Sequence, residues 1–131
     1  MSLPPAVMVV DDEDELANLF NEILNASGFN SVSFTDPILA LKHFYKNLDK
    51  YSLIITDLRM PGLNGIELAK EIRKVKKDVK IILITAFREY TSSENEDDFR
   101  KNMFSEVLEK PVHFKELRSI VKQLYDAELN T

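Results

Sequence analysis

Cysteine is absent from the 131 residues, which excludes disulfides, thiolate metal sites and thiol nucleophiles. Glycine occurs only at Gly28, Gly62 and Gly65. None follows the first apolar run, where a dinucleotide-binding turn would need them. Long apolar runs are missing too. The longest span four or five residues, far short of the ~20 that cross a membrane. A basic excess is lacking: 22 acidic against 17 basic residues give a net charge of −5, which argues against direct nucleic-acid binding. Met1–Pro5 has neither the basic residues nor the apolar core of a secretion signal, so the expected location is cytoplasmic. The two histidines, His43 and His113, fall on or beside expected helices and read as surface or capping residues.

What is there is an ordinary balance of 44% hydrophobic and 30% charged residues. The expectation is a single domain over 1–131 with its core at about 6–127. Five short apolar runs alternate with amphipathic stretches: Ala6–Val10, Ser31–Phe34, Leu53–Thr56, Ile81–Ile84 and Glu106–Leu108. The first, third and fourth are continuously apolar, as strands covered on both faces are. Helix periodicity appears at Leu16, Leu19, Phe20, Ile23 and Leu24, with Gly28 placed to end that helix. Asp36-Pro37 opens a second helix with a stripe of Leu41, Phe44, Tyr45 and Leu48. Asn64 and Glu67 form the capping pattern of a third, with Leu68, Ala69, Ile72 and Val75 facing inward. Ser93 and Glu96 cap a fourth, which offers only Phe99, Met103 and Phe104 as an apolar face after the polar run Thr91–Asp98. A last helix carries Leu117, Ile120, Val121, Leu124 and Tyr125. Alternation of this kind predicts an α/β, doubly wound (βα)5 domain with a parallel five-stranded sheet of order 2-1-3-4-5 and right-handed crossovers.

The residues after each strand carry the chemistry. Strand one runs into Asp11-Asp12, strand three into Asp57, strand four into Thr85 and strand five into Lys110. Ligands in an open parallel sheet bind outside the carboxyl ends of the strands, where strand order reverses. Here that point lies between strands one and three, so three acids, a hydroxyl and an amine converge on one crevice. The three aspartates and Lys110 leave the crevice at a formal −2. A divalent cation would neutralise it, and oxygen donors without histidine or cysteine suit Mg2+. Any one acid could merely cap a turn; the set is harder to explain that way.

Asp57-Leu58-Arg59-Met60-Pro61-Gly62 and Leu108-Glu109-Lys110-Pro111, with Val9-Val10-Asp11-Asp12-Glu13-Asp14 and Ile84-Thr85-Ala86, resemble the receiver domains of two-component response regulators. The likeness runs from Val7 to about Tyr125. It implies a flavodoxin-like fold and a switch driven by phosphorylation of Asp57, the phosphoryl coming from a sensor histidine kinase or a phosphotransfer protein. Asp12, Asp57 and the Arg59 carbonyl would hold Mg2+, with Asp11 holding a ligand water. Lys110 and Thr85 would meet the phosphoryl oxygens. The Lys110-Pro111 bond would be cis. Such a module is a phosphoacceptor rather than an enzyme, with at most self-phosphorylation and weak autophosphatase activity. Its partners would include an output domain or a downstream protein, with no nucleic acid or membrane, and homodimerisation is compatible with it.

Two departures stand out. Receivers often carry an aromatic residue three positions before the lysine, where this chain has Val107, too short to swing as a rotor. The stretch from Thr85 to Lys110 is also longer and more polar than usual. Two other readings compete with this one. A flavin carrier of the same topology needs a Ser/Thr/Gly-rich first loop, and Asp11-Asp12-Glu13-Asp14 is the opposite. A receiver-like module that is never phosphorylated fits poorly with five intact site positions, and phosphotransfer from a small donor separates the two.

Overall fold

The computed structural model describes residues 6–86 and 103–129, with side chains to Asp126. Five parallel strands form one sheet of order β2-β1-β3-β4-β5: β1 Ala6–Val10, β2 Ser31–Phe34, β3 Tyr51–Asp57, β4 Lys80–Thr85 and β5 Glu106–Glu109. The helices among the described residues are α1 Asp14–Ala26, α2 Pro37–Lys46, α3 Gly65–Val75 and α4 Phe114–Leu129. This is the doubly wound order expected. β3, β4 and β5 extend one to three residues beyond the apolar runs, because backbone pairing continues past the side chains that advertise it.

Strand residues point alternately to the two faces, and the core divides accordingly. Met8, Val10, Ile54, Ile81 and Leu83 join Ala40 and Phe44 of α2 and Leu68, Ala69 and Ile72 of α3 in one cluster. Val7, Val9, Leu53, Ile55, Ile82 and Ile84 join Phe20 and Leu24 of α1 and Leu117, Val121 and Tyr125 of α4 in the other. The central strands are apolar at every position because both faces are covered.

Local signals set the helix ends. Asp36 accepts a hydrogen bond from the Ile38 amide at 2.9 Å, with Pro37 in the first turn. Asn64 and Glu67 form the reciprocal box, Asn64 Oδ1 accepting from Glu67 N at 2.8 Å and Glu67 Oε1 from Asn64 N at 3.0 Å. Each such cap stabilises its helix by about 1 kcal/mol. Gly28, at φ +94°, takes the left-handed turn that ends α1. At the far end of α3, Arg73 donates to the carbonyls of Val79 and Met103, tying that helix to the approach to β5.

Four expected core positions are not core. Leu19, Tyr45, Leu48 and Val75 are exposed. In α2 the buried line is Pro37, Ala40 and Phe44, so Tyr45 turns off the sheet and instead donates to Glu71 of α3 at 3.4 Å; Leu48 lies beyond the helix end. In α3 the last buried residue is Ile72, and Val75 at the helix end is exposed. Periodicity names an arc of positions; how much of that arc the sheet covers depends on crossing angle. The fourth helix is expected from Ser93 to Met103 and Phe104; its residues up to 102, and the polar run Thr91–Asp98, lie outside the described residues. Met103 and Phe104, just before β5, are described and buried in the α2/α3 cluster, with Val107 packed against it.

Candidate functional site

Strand register brings the chemistry together. Val10 pairs with Thr56, Asp57 with Ile84, and Thr85 with Glu109, so β1, β3, β4 and β5 end at one level. The Lys110 amide donates to Thr85 O at 3.0 Å and the Leu58 amide to Ile84 O at 3.0 Å, carrying the pairing one step past the strands. Asp11, Asp57 and Thr85 are buried there, whereas Asp12 is exposed. One carboxylate oxygen from each of Asp11, Asp12 and Asp57 lies within 4.8 Å of the others. Lys110 Nζ sits 3.0 Å from Asp57 Oδ1. The Lys110-Pro111 bond is cis, as the resemblance implied.

Each side chain is fixed by its local backbone. Asp11 Oδ1 accepts the Glu13 amide at 2.9 Å, which turns the chain toward α1. Thr85 Oγ1 donates to Ala86 O at 3.1 Å. Leu58 and Met60 are buried in the core and hold down the loop after Asp57, while the Arg59 side chain between them is exposed. One contributor was not legible as such. Gly62, at φ +85°, sits in a left-handed turn, but Gly65 does not. It is the first residue of α3, and a Cβ there would stand 2.3 Å from the Asp57 carbonyl oxygen. The three glycines look alike in the sequence, and only the packing tells close approach from a turn.

The charges are uncomfortable as they stand. Burial raises the Asp11 carboxyl to about 6; the neighbouring Asp57 and Asp12 add to the rise, and the Glu13 amide and Lys110 oppose it. Burial likewise holds Asp57 above the ordinary carboxylate range, against the Lys110 ammonium and the Leu58 amide. Lys110 loses something to burial, yet its bond to Asp57 and the charges of Asp57 and Asp11 hold it above its usual value. An all-oxygen donor set with two acids raised by burial and mutual repulsion is a fit for a hard divalent cation, which would favour the ionised forms.

A stability prediction follows from Asp11. A carboxyl raised in the folded state favours folding below its unfolded value near 4, and that contribution is lost as pH rises through about 6. Asp11→Asn keeps an acceptor for the Glu13 amide and removes the buried charge. Without divalent cations, the variant should exceed wild type in stability by roughly 1–2 kcal/mol at pH 7, with the gain gone at pH 4. Urea unfolding at the two pH values in EDTA is the check. A variant no more stable than wild type at pH 7 would show that Asp11 carries no strain.

The model of the response regulator receiver domain matches residues 7–122. The response regulator receiver protein CpdR of Brucella abortus is 25% identical over 118 residues, covering 90% of this chain and 94% of that protein. Sporulation initiation phosphotransferase F of Bacillus subtilis is 26% identical over 125 residues, covering 95% and 96%. Among solved structures, the response regulator protein TrrA of Thermotoga maritima, in complex with Mg2+ and BeF, is 38% identical with a TM-score of 0.78, covering 92% of this chain and 98% of that one.

Proposed function

The chain belongs to the response regulator receiver domain family, a family of phosphorylation-controlled switches, and on that premise we propose that Asp57 is its phosphoacceptor. The observation that carries this is the Asp57 carboxylate at the end of β3, 3.0 Å from Lys110 Nζ and within 4.8 Å of the Asp11 and Asp12 carboxylates. The phosphoryl donor would be the phosphohistidine of a sensor kinase or of a phosphotransfer protein. That a 38% identical relative was solved in complex with Mg2+ and BeF supports Mg2+ as the ion this chain would bind.

An Asp57 oxygen attacks the donor phosphorus, forming an acyl phosphate as the phosphorus–nitrogen bond breaks and its electrons return to the imidazole. Lys110, already against Asp57, follows the transferred oxygens and offsets their charge. Thr85, at the end of β4, supplies a hydroxyl toward them, for which it exchanges its present bond to Ala86 O. Asp12, Asp57 and the Arg59 carbonyl would hold Mg2+, with Asp11 holding a ligand water, and the ion would supply charge neutralisation for phosphoryl transfer. The domain has no separate substrate to turn over: it phosphorylates itself from a donor and loses the phosphoryl slowly to water. Histidine kinases and output domains are what response regulators engage, and they are the partners proposed here.

The test is labelling by acetyl phosphate. With Mg2+ the chain should gain one hydroxylamine-labile phosphoryl group, and EDTA should abolish it. Asp12→Ala, which removes an exposed carboxylate from the cluster without opening the core, should need at least tenfold more Mg2+ for half-maximal labelling. Undiminished labelling in EDTA would refute the charge argument.

A further inference from the structure

Away from the carboxylates, a groove of about 750 Å³ opens between α1 and α4. Its floor is apolar, with Ile23 of α1, Phe29 just beyond that helix and Phe114 at the start of α4. Phe114 is 48% exposed, unusual for so large an apolar side chain. Lys115, Arg118 and Lys122 line the α4 side, three and four residues apart on one face of the helix, and no acidic residue lines the groove. Among the described residues the three cations make no salt bridge or side-chain hydrogen bond. Among the described residues, then, nothing covers the apolar floor and no acidic group pairs with the cations.

The geometry points to this groove as a docking site for an acidic amphipathic segment of a partner protein, its apolar side chains on Ile23, Phe29 and Phe114 and its carboxylates against Lys115, Arg118 and Lys122. Charge complementarity selects that occupant. The whole chain carries −5, so an extended polyanion or an anionic membrane is repelled at long range. Screening shortens the reach of each charge to about 8 Å at physiological salt, so a single short segment meets chiefly the three local cations. An apolar floor also gives nothing to sugar and phosphate, whereas it matches the apolar stripe of a helix laid into a groove. None of the residues lining the groove belongs to the Asp11, Asp12, Asp57 and Lys110 cluster.

The probe is a synthetic helical peptide with leucine and phenylalanine at i, i+3 and i+4 flanked by glutamates, titrated into the ¹⁵N-labelled full chain. Saturable amide shifts are expected at Ile23, Phe29, Arg118 and Lys122, weakening as salt is raised. A glutamine-for-glutamate peptide should bind at least tenfold more weakly, as should the Arg118→Glu/Lys122→Glu chain, whose exposed substitutions leave the core untouched. Phe114→Ala should weaken both peptides alike. Equal binding of the two peptides, or shifts that avoid the groove, would overturn the proposal. So would tighter binding at this face of phosphatidylserine vesicles or of a DNA duplex.

Discussion

Asp57→Asn should fold as wild type does and take up no phosphoryl from acetyl phosphate at any Mg2+ concentration. The reason is partly chemical, since a carboxamide is a poor nucleophile and its phosphoryl adduct does not form under these conditions. It is also positional. Asp57 alone ends the strand at the reversal of sheet order, buried, with the Lys110 ammonium at 3.0 Å. Asp11 is buried as well, but one of its oxygens is committed to the Glu13 amide. Asp12 is exposed and, among the described residues, has no ammonium held against it in that way. Asparagine fills the same volume and removes a carboxylate that burial already disfavours, so the thermal midpoint should not fall. Intact-mass measurement after incubation, with a melting curve of the same sample, reads both outcomes. A persisting phosphoryl group on the folded variant would move the acceptor to another side chain and sink the assignment.

The parts of this molecule that the sequence displayed are those where one residue does one thing. Continuous apolar runs marked strands covered on both sides, and Asp11, Asp57, Thr85 and Lys110 stood at their carboxyl ends because a strand's end is itself a local feature. Asp36-Pro37 and the Asn64–Glu67 box were readable because a cap is satisfied within three residues. What stayed hidden depends on how elements lie against one another. Tyr45 has the right period for the α2 core and turns away from it because the helix seats on Ala40 and Phe44. The raised Asp11 carboxyl is a property of three strands meeting, and no single segment encodes it. Gly65 is the clearest case, since its requirement is set by the carbonyl of a residue eight positions earlier.

Gly65→Ala is expected to be the most damaging small substitution near the site, although helix propensity says the reverse. Alanine in place of glycine within a helix favours the helix by about 1 kcal/mol. Sterics decide against it. The new Cβ would lie 2.3 Å from Asp57 O, 3.1 Å from Asp57 C and 3.0 Å from Leu83 Cδ1. The first two atoms belong to strand backbone inside the sheet, where nothing swings aside, and the Gly65 amide is bonded to Leu58 O at 2.8 Å. Relief therefore requires α3 to lift or Asp57 to move, and overpacking of this kind costs roughly 1–3 kcal/mol or more. A net loss of about 2 kcal/mol should lower the thermal midpoint by about 10 °C. Displacing the phosphoacceptor by even about 1 Å should slow labelling by 10- to 100-fold at saturating Mg2+. Gly62→Ala separates the two effects. It strains a φ of +85° and meets Ile38 Cδ1 at 3.3 Å, with no Asp57 atom within 4 Å of the new Cβ. That variant should lose about 1–2 kcal/mol of stability while labelling at nearly the wild-type rate. If Gly65→Ala labels as fast as wild type, α3 does not hold Asp57 in place, and the position of the carboxylate is set by β3 alone.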